Sequence, residues 1–122
     1  MRVLVVEDDN GVAFVLTTFL DQLEYDVQRV ATGAEAIGAA FDWKPDVVLL
    51  DLTLPDVAGA QVFERIRNLE GPASQVPIIV VSGALGLDDI GRRLGANGVI
   101  AKPFNLATVE RVVRDAIRGD PP

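Results

Sequence analysis

Three short apolar runs, each closing on a polar or acidic residue, limit what this chain can fold into. Val3 to Val6 stops at Glu7-Asp8-Asp9, Val47 to Leu50 stops at Asp51, and Ile78 to Val81 stops at Ser82. Such runs lack the alternation of a half-solvated strand and are too short for helices, so each reads as a strand buried on both faces. Tyr25 to Val30 and Gly98 to Ala101 are weaker strand candidates, both short and rich in β-branched residues. Between the strands lie segments with helical spacing: Val12, Leu16, Phe19 and Leu23; Ile37, Ala40 and Phe41; Val62, Phe63 and Ile66; Val109, Val112, Val113 and Ala116. Leu87 to Leu94 is a shorter helical candidate. Strict alternation of strand and helix requires parallel strands joined by right-handed crossovers. The expected fold class is therefore α/β, a (βα)5 doubly wound five-stranded parallel sheet with helices on both faces.

At 122 residues there is room for one core and one domain. Lys44-Pro45-Asp46 leads into the third strand, and Gly71-Pro72 with Pro77 brackets the approach to the fourth. Gly119-Asp120-Pro121-Pro122 cannot prolong a helix, so the expected division is a domain over 1–118 and a tail or linker start over 119–122. A net charge of −7 disfavours direct nucleic-acid binding by this segment. Without cysteine or histidine, disulfides and thiolate chemistry are excluded and any metal should be hard and oxygen-bound. Met1-Arg2 runs straight into the first strand with no long apolar leader, which sets the expectation of a cytoplasmic protein with no membrane role.

In open sheets of this kind, ligands sit beyond the carboxyl ends of the strands, where the strand order reverses. The polar residues there are Glu7, Asp8 and Asp9 after the first strand, Asp51 after the third, Ser82 after the fourth and Lys102 after the fifth; the second strand offers nothing comparable. Carboxylates converging on one crevice repel one another and resist desolvation unless a cation joins them. Mg²⁺ suits such a donor set and keeps positions open for phosphate oxygens, with Mn²⁺ as an alternative. Lys102 is one of only two lysines and precedes Pro103, where a cis peptide would aim its ammonium into the crevice. Taken singly, each residue has a bland alternative: a solvated loop or helix cap for the acids, a loop hydrogen bond for Ser82, an ordinary surface role for Lys102. Four such features ending four different strands are rarely coincidental.

The strings Val3-Leu4-Val5-Val6-Glu7-Asp8-Asp9 and Asp51-Leu52-Thr53-Leu54-Pro55-Asp56-Val57-Ala58-Gly59, the Ser82-Gly83 step and Lys102-Pro103-Phe104 together resemble the receiver (CheY-like) domains of two-component response regulators over nearly the whole chain. The resemblance implies a flavodoxin-like strand order 2-1-3-4-5. It also implies that Asp51 receives a phosphoryl group from the phosphohistidine of a histidine kinase or phosphotransfer protein. Glu7, Asp8, Asp51 and the Thr53 backbone carbonyl would hold Mg²⁺, while Ser82 and Lys102 would contact phosphoryl oxygens. Such a domain is a self-phosphorylating and self-dephosphorylating switch, not a metabolic enzyme, and it acts on an output domain or target protein.

The chain departs from the family pattern in two places. Val99 stands where relatives carry Tyr or Phe three residues before the lysine. The stretch from Ser82 to Lys102 is about two residues short and holds Gly83, Gly86 and Gly91, which predicts a curtailed fourth helix. Thr53 and Ala84 occupy positions that regulate water access in relatives. Two rivals follow: a receiver that serves only as an interaction module, and an Asp-nucleophile phosphatase of the haloacid-dehalogenase type. The second expects an acid where Thr53 stands.

Overall fold

Strand runs this apolar have to be covered from both sides, and the chain achieves this by alternating. In the computed structural model, which describes residues 1–122, the order is β1 (Arg2–Val6), α1 (Asn10–Gln22), β2 (Asp26–Val30), α2 (Gly33–Asp42), β3 (Val47–Asp51), α3 (Gly59–Arg67), a 3-10 turn (Gly71–Gln75), β4 (Ile78–Ser82), α4 (Leu87–Leu94), β5 (Gly98–Ala101) and α5 (Leu106–Arg118). All strands pair in parallel in the order β2-β1-β3-β4-β5. The period-2 pleat splits the apolar residues into two cores. Leu4, Val6, Val48, Leu50, Ile78 and Val80 face α2, α3 and α4, whereas Val3, Val5, Val47, Leu49, Ile79 and Val81 face α1 and α5.

Local chemistry sets the ends of these elements. Asp9, Thr32 and Asn105 cap α1, α2 and α5 by accepting the N–H groups of Val12, Glu35 and Thr108. Helix α4 begins and ends beside Gly86 and Gly95, both left-handed at φ 73° and 77°. Gly83 and Gly86 thus precede α4 rather than interrupt it, and only Gly91 lies inside. A Cβ on Gly91 would come within 2.5 Å of Val99 Cγ1, so the glycine lets α4 close onto β5 beside the small valine. Arg67 ties down the start of β4 by donating to Val76 O at 2.7 Å and to Asn97 Oδ1 at 3.1 Å, the latter oxygen also accepting the Ile78 N–H at 3.0 Å.

Two sequence expectations shift. Tyr25 does not open β2: its N–H closes the end of α1 on Leu20 O at 3.2 Å. Phe41 is 52% exposed, because α2 buries Gly33, Ala36 and Ala40 and leaves Phe41 on its uncovered flank.

Candidate functional site

Register places the polar strand ends together. Asp51 pairs in register with Val81, and Ser82 with Ala101, so the last residues of β3 and β4 and the first residue after β5 open onto one crevice next to the end of β1. Lys102 Nζ donates to Glu7 Oε1 at 2.7 Å and to Asp51 Oδ2 at 3.3 Å, joining positions 95 and 51 residues apart. Glu7 and Asp51 are 2% and 4% exposed. Buried carboxylates in an apolar sheet are tolerated only when paired and hydrogen-bonded, and here they are. Asp51 Oδ1 accepts the Thr53 N–H at 2.9 Å, and Glu7 Oε2 accepts the Asp9 N–H at 3.2 Å. Burial works against the Lys102 ammonium, but the Glu7 hydrogen bond and the Asp51 and Glu7 charges outweigh it and raise its pKa above the ordinary 10.5. The Lys102–Pro103 peptide is cis.

Carboxylate oxygens of Glu7, Asp8 and Asp51 all lie within 4.8 Å of one another. Three hard oxygen donors at that spacing, two of them buried, fit a small divalent cation such as Mg²⁺ and offer nothing to a soft metal. Asp8 is exposed, and Asp9 serves as the α1 cap. Ser82 is buried like Asp51, its Oγ accepting the Ala84 N–H at 3.0 Å rather than contacting Asp51 or Lys102. Thr53 and Ala84 are both exposed beside the crevice mouth.

Two residues escaped the sequence reading. Strand β2 does contribute: Arg29 donates to the carbonyls of Glu7 and Asp8 at 2.9 and 3.2 Å. Asp56 accepts the Gly33 and Ala34 N–H groups at 2.8 and 3.1 Å, tying the loop after Asp51 to the start of α2. These bonds hold the Asp56 carboxyl below its ordinary 3.8. A lowered carboxylate pKa contributes stability that is present above the unfolded value and lost as pH falls through the folded one. Melting temperature should therefore fall as pH drops from about 4 towards 2, and this acid-limb slope should be shallower in Asp56→Asn.

Gly59 closes the same loop. Its N–H donates to Leu52 O at 3.1 Å. A Cβ there would lie 2.4 Å from Leu52 Cα and 2.8 Å from Asp51 O, both of them backbone atoms that cannot step aside. Gly59→Ala is expected to destabilise by about 3 kcal/mol, a drop of roughly 10 °C in melting temperature for a domain of this size, and to displace Asp51. Thermal denaturation measures the first effect.

A groove of about 790 Å³ lies at the opposite end of the sheet among Phe41, Pro45, Pro72 and Pro77. It gathers no carboxylate cluster like the one at the crevice. No helix is long and apolar enough to cross a membrane.

Comparison with known proteins agrees with this geometry. Residues 3–114 match the response regulator receiver domain family. The cell cycle response regulator CtrA of Brucella ovis is 35% identical over 122 aligned residues, covering 93% of this chain, which spans about half (50%) of the length of that relative. Among solved structures, the receiver domain of the sensor histidine kinase PA1611 from Pseudomonas aeruginosa, with magnesium coordinated in its active-site cleft, has a TM-score of 0.87 at 33% identity, covering 96% of this chain and 97% of that one. The non-phosphorylated HemR receiver domain from Leptospira biflexa has a TM-score of 0.83 at 33% identity, covering 95% of this chain and 93% of that one. By sequence and by fold, this chain belongs to the response regulator receiver domains of two-component systems.

Proposed function

We propose that Asp51 is the phosphoryl acceptor of this receiver and that the crevice around it is the Mg²⁺-assisted transfer site. The observation that carries this reading is the buried Asp51 carboxylate held between Lys102 Nζ and the Glu7-Asp8 pair. An Asp51 oxygen attacks phosphorus in line, an oxygen–phosphorus bond forms, and the nitrogen–phosphorus bond of a phosphohistidine donor breaks, returning the electron pair to the imidazole. Transfer of this kind asks the protein for positioning and charge neutralisation. Lys102 supplies a fixed ammonium for the phosphoryl oxygens, and Ser82 a hydroxyl donor. Glu7, Asp8, Asp51 and the Thr53 carbonyl are the Mg²⁺ ligands in this reading, supported by the oxygen-only donor set and by the magnesium seen in the related PA1611 cleft. When bound, the ion offsets carboxylate repulsion and orients phosphate oxygens.

Water then attacks the acyl phosphate and releases phosphate, so the phosphorylated state is temporary. While it lasts, added charge at Asp51 draws on the Ser82 hydroxyl and repacks the β4-β5 face towards α4, which an output domain or target reads. The partners are a histidine kinase or phosphotransfer protein in a cytoplasmic setting. We read residues 1–118 as the receiver unit, since α5 ends at Arg118 with Gly119 left-handed at φ 77°.

Intact-mass measurement after incubation with acetyl phosphate tests this. One phosphoryl adduct that requires Mg²⁺ is expected, together with negligible turnover of p-nitrophenyl phosphate. No adduct with Mg²⁺ present would favour the interaction-module reading, and sustained turnover would favour a phosphatase.

A further inference from the structure

A second cation stands beside the acidic crevice, and the transfer chemistry makes no use of it. Arg29, on the edge strand β2, sends its guanidinium across to the turn between β1 and α1. Nε donates to Glu7 O at 2.9 Å, and Nη2 donates to Asp8 O at 3.2 Å and to Asn10 Oδ1 at 3.1 Å. The Glu7 N–H meanwhile reaches Val30 O at 3.1 Å, so β2 grips this turn through two consecutive residues. On the crevice side, the carboxylates of the turn converge: Glu7 on Lys102 at 2.7 Å, and Asp8 within 4.8 Å of both Glu7 and Asp51.

That convergence is electrostatically unfavourable on its own. Two carboxylates held this close repel more strongly at a partly buried crevice than they would in bulk water. Lys102 reaches Glu7 and Asp51 but not Asp8, and the exposed Asp8 would relieve its repulsion by swinging into solvent with its backbone. Charge-assisted bonds to the carbonyls of residues 7 and 8 oppose that swing. An arginine fork meets two carbonyls and an amide oxygen together, which the single ammonium of a lysine cannot reproduce.

We infer that Arg29 is a positioning residue that holds the Glu7-Asp8 turn in the one conformation in which its carboxylates and Asp51 can share a divalent cation. This role rests on the reading of the crevice as a Mg²⁺-assisted acceptor site. Arg29 touches no reacting atom and acts through the backbone of residues 7 and 8.

Calorimetric titration of the full chain with Mg²⁺ tests it, using wild type, Arg29→Ala and Arg29→Lys, with circular dichroism to confirm folding. Supporting groups behind metal ligands typically contribute 10–100-fold to affinity, so Arg29→Ala should bind Mg²⁺ about 10-fold more weakly, with Arg29→Lys between it and wild type. At saturating Mg²⁺, phosphoryl uptake from acetyl phosphate should return to within about twofold of wild type, because Asp51 and Lys102 are untouched. A purely structural role would instead lower the melting temperature and leave Mg²⁺ affinity unchanged, which overturns the inference. Should Arg29→Ala fail to fold, Arg29→Lys decides alone: weakened Mg²⁺ binding supports the role and wild-type affinity overturns it. Wild type that binds no Mg²⁺ overturns the acceptor-site reading and this role with it, whereas equal binding by wild type and variants overturns only the role of Arg29.

Discussion

Asp51→Asn is expected to take up no phosphoryl group from acetyl phosphate at any Mg²⁺ concentration, while melting close to wild type. The amide keeps the size of the side chain and an oxygen to accept the Thr53 N–H, but it loses the charge and nucleophilicity that attack on phosphorus needs. Stability should hardly change, for two opposing reasons. Lys102 loses its 3.3 Å contact with Asp51 yet keeps the shorter one with Glu7, and removing one of three clustered carboxylates relieves repulsion. Complete loss of transfer with an intact fold distinguishes a reacting group from a packing one. Intact mass and thermal denaturation of the same sample read both.

Lys102→Ala should behave differently, losing rate and stability together. Removing a fixed charge aimed at a developing anion costs on the order of 100-fold in rate, so phosphoryl uptake should slow by about that factor and not vanish, since Asp51 remains. Glu7 and Asp51 would then face each other, buried and without a cation. Breaking a fully buried pair costs roughly 3–5 kcal/mol; the Lys102 side chain is 27% exposed, which reduces the expected loss to about 2 kcal/mol. Mg²⁺ should restore part of this, so its addition should raise the melting temperature more in Lys102→Ala than in wild type. The pH dependence has a definite sign. Because the folded pKa of Lys102 is raised above 10.5, its contribution is fully present through the neutral range and fades only as pH climbs from that value through the folded one.

Glu7, Asp51, Ser82 and Lys102 were legible in the sequence because each ends or follows an apolar run, and a parallel sheet gathers its strand ends on one edge. The strand order itself came from the family resemblance, since alternation alone leaves several orders open. Arg29 was not legible. In Asp26–Val30 it occupies an ordinary half-exposed position, and nothing local indicates that its guanidinium reaches carbonyls 22 and 21 residues away. Asp56 likewise reads as a turn residue after Pro55, and its task of capping α2 exists only once the loop folds across to Gly33. Gly91 looked like a helix breaker, whereas it is the small residue that lets α4 approach Val99. Each of these depends on contacts distant in sequence, which periodicity does not encode.

Borohydride trapping identifies the residue that carries the phosphoryl group. The reagent reduces an aspartyl phosphate to homoserine, and peptide mass spectrometry then locates that residue in wild-type protein treated with acetyl phosphate and Mg²⁺. Homoserine at position 51, dependent on both donor and Mg²⁺, is the predicted result. Homoserine at another acidic position, or a phosphoryl adduct that yields none, would contradict the assignment of Asp51 as acceptor.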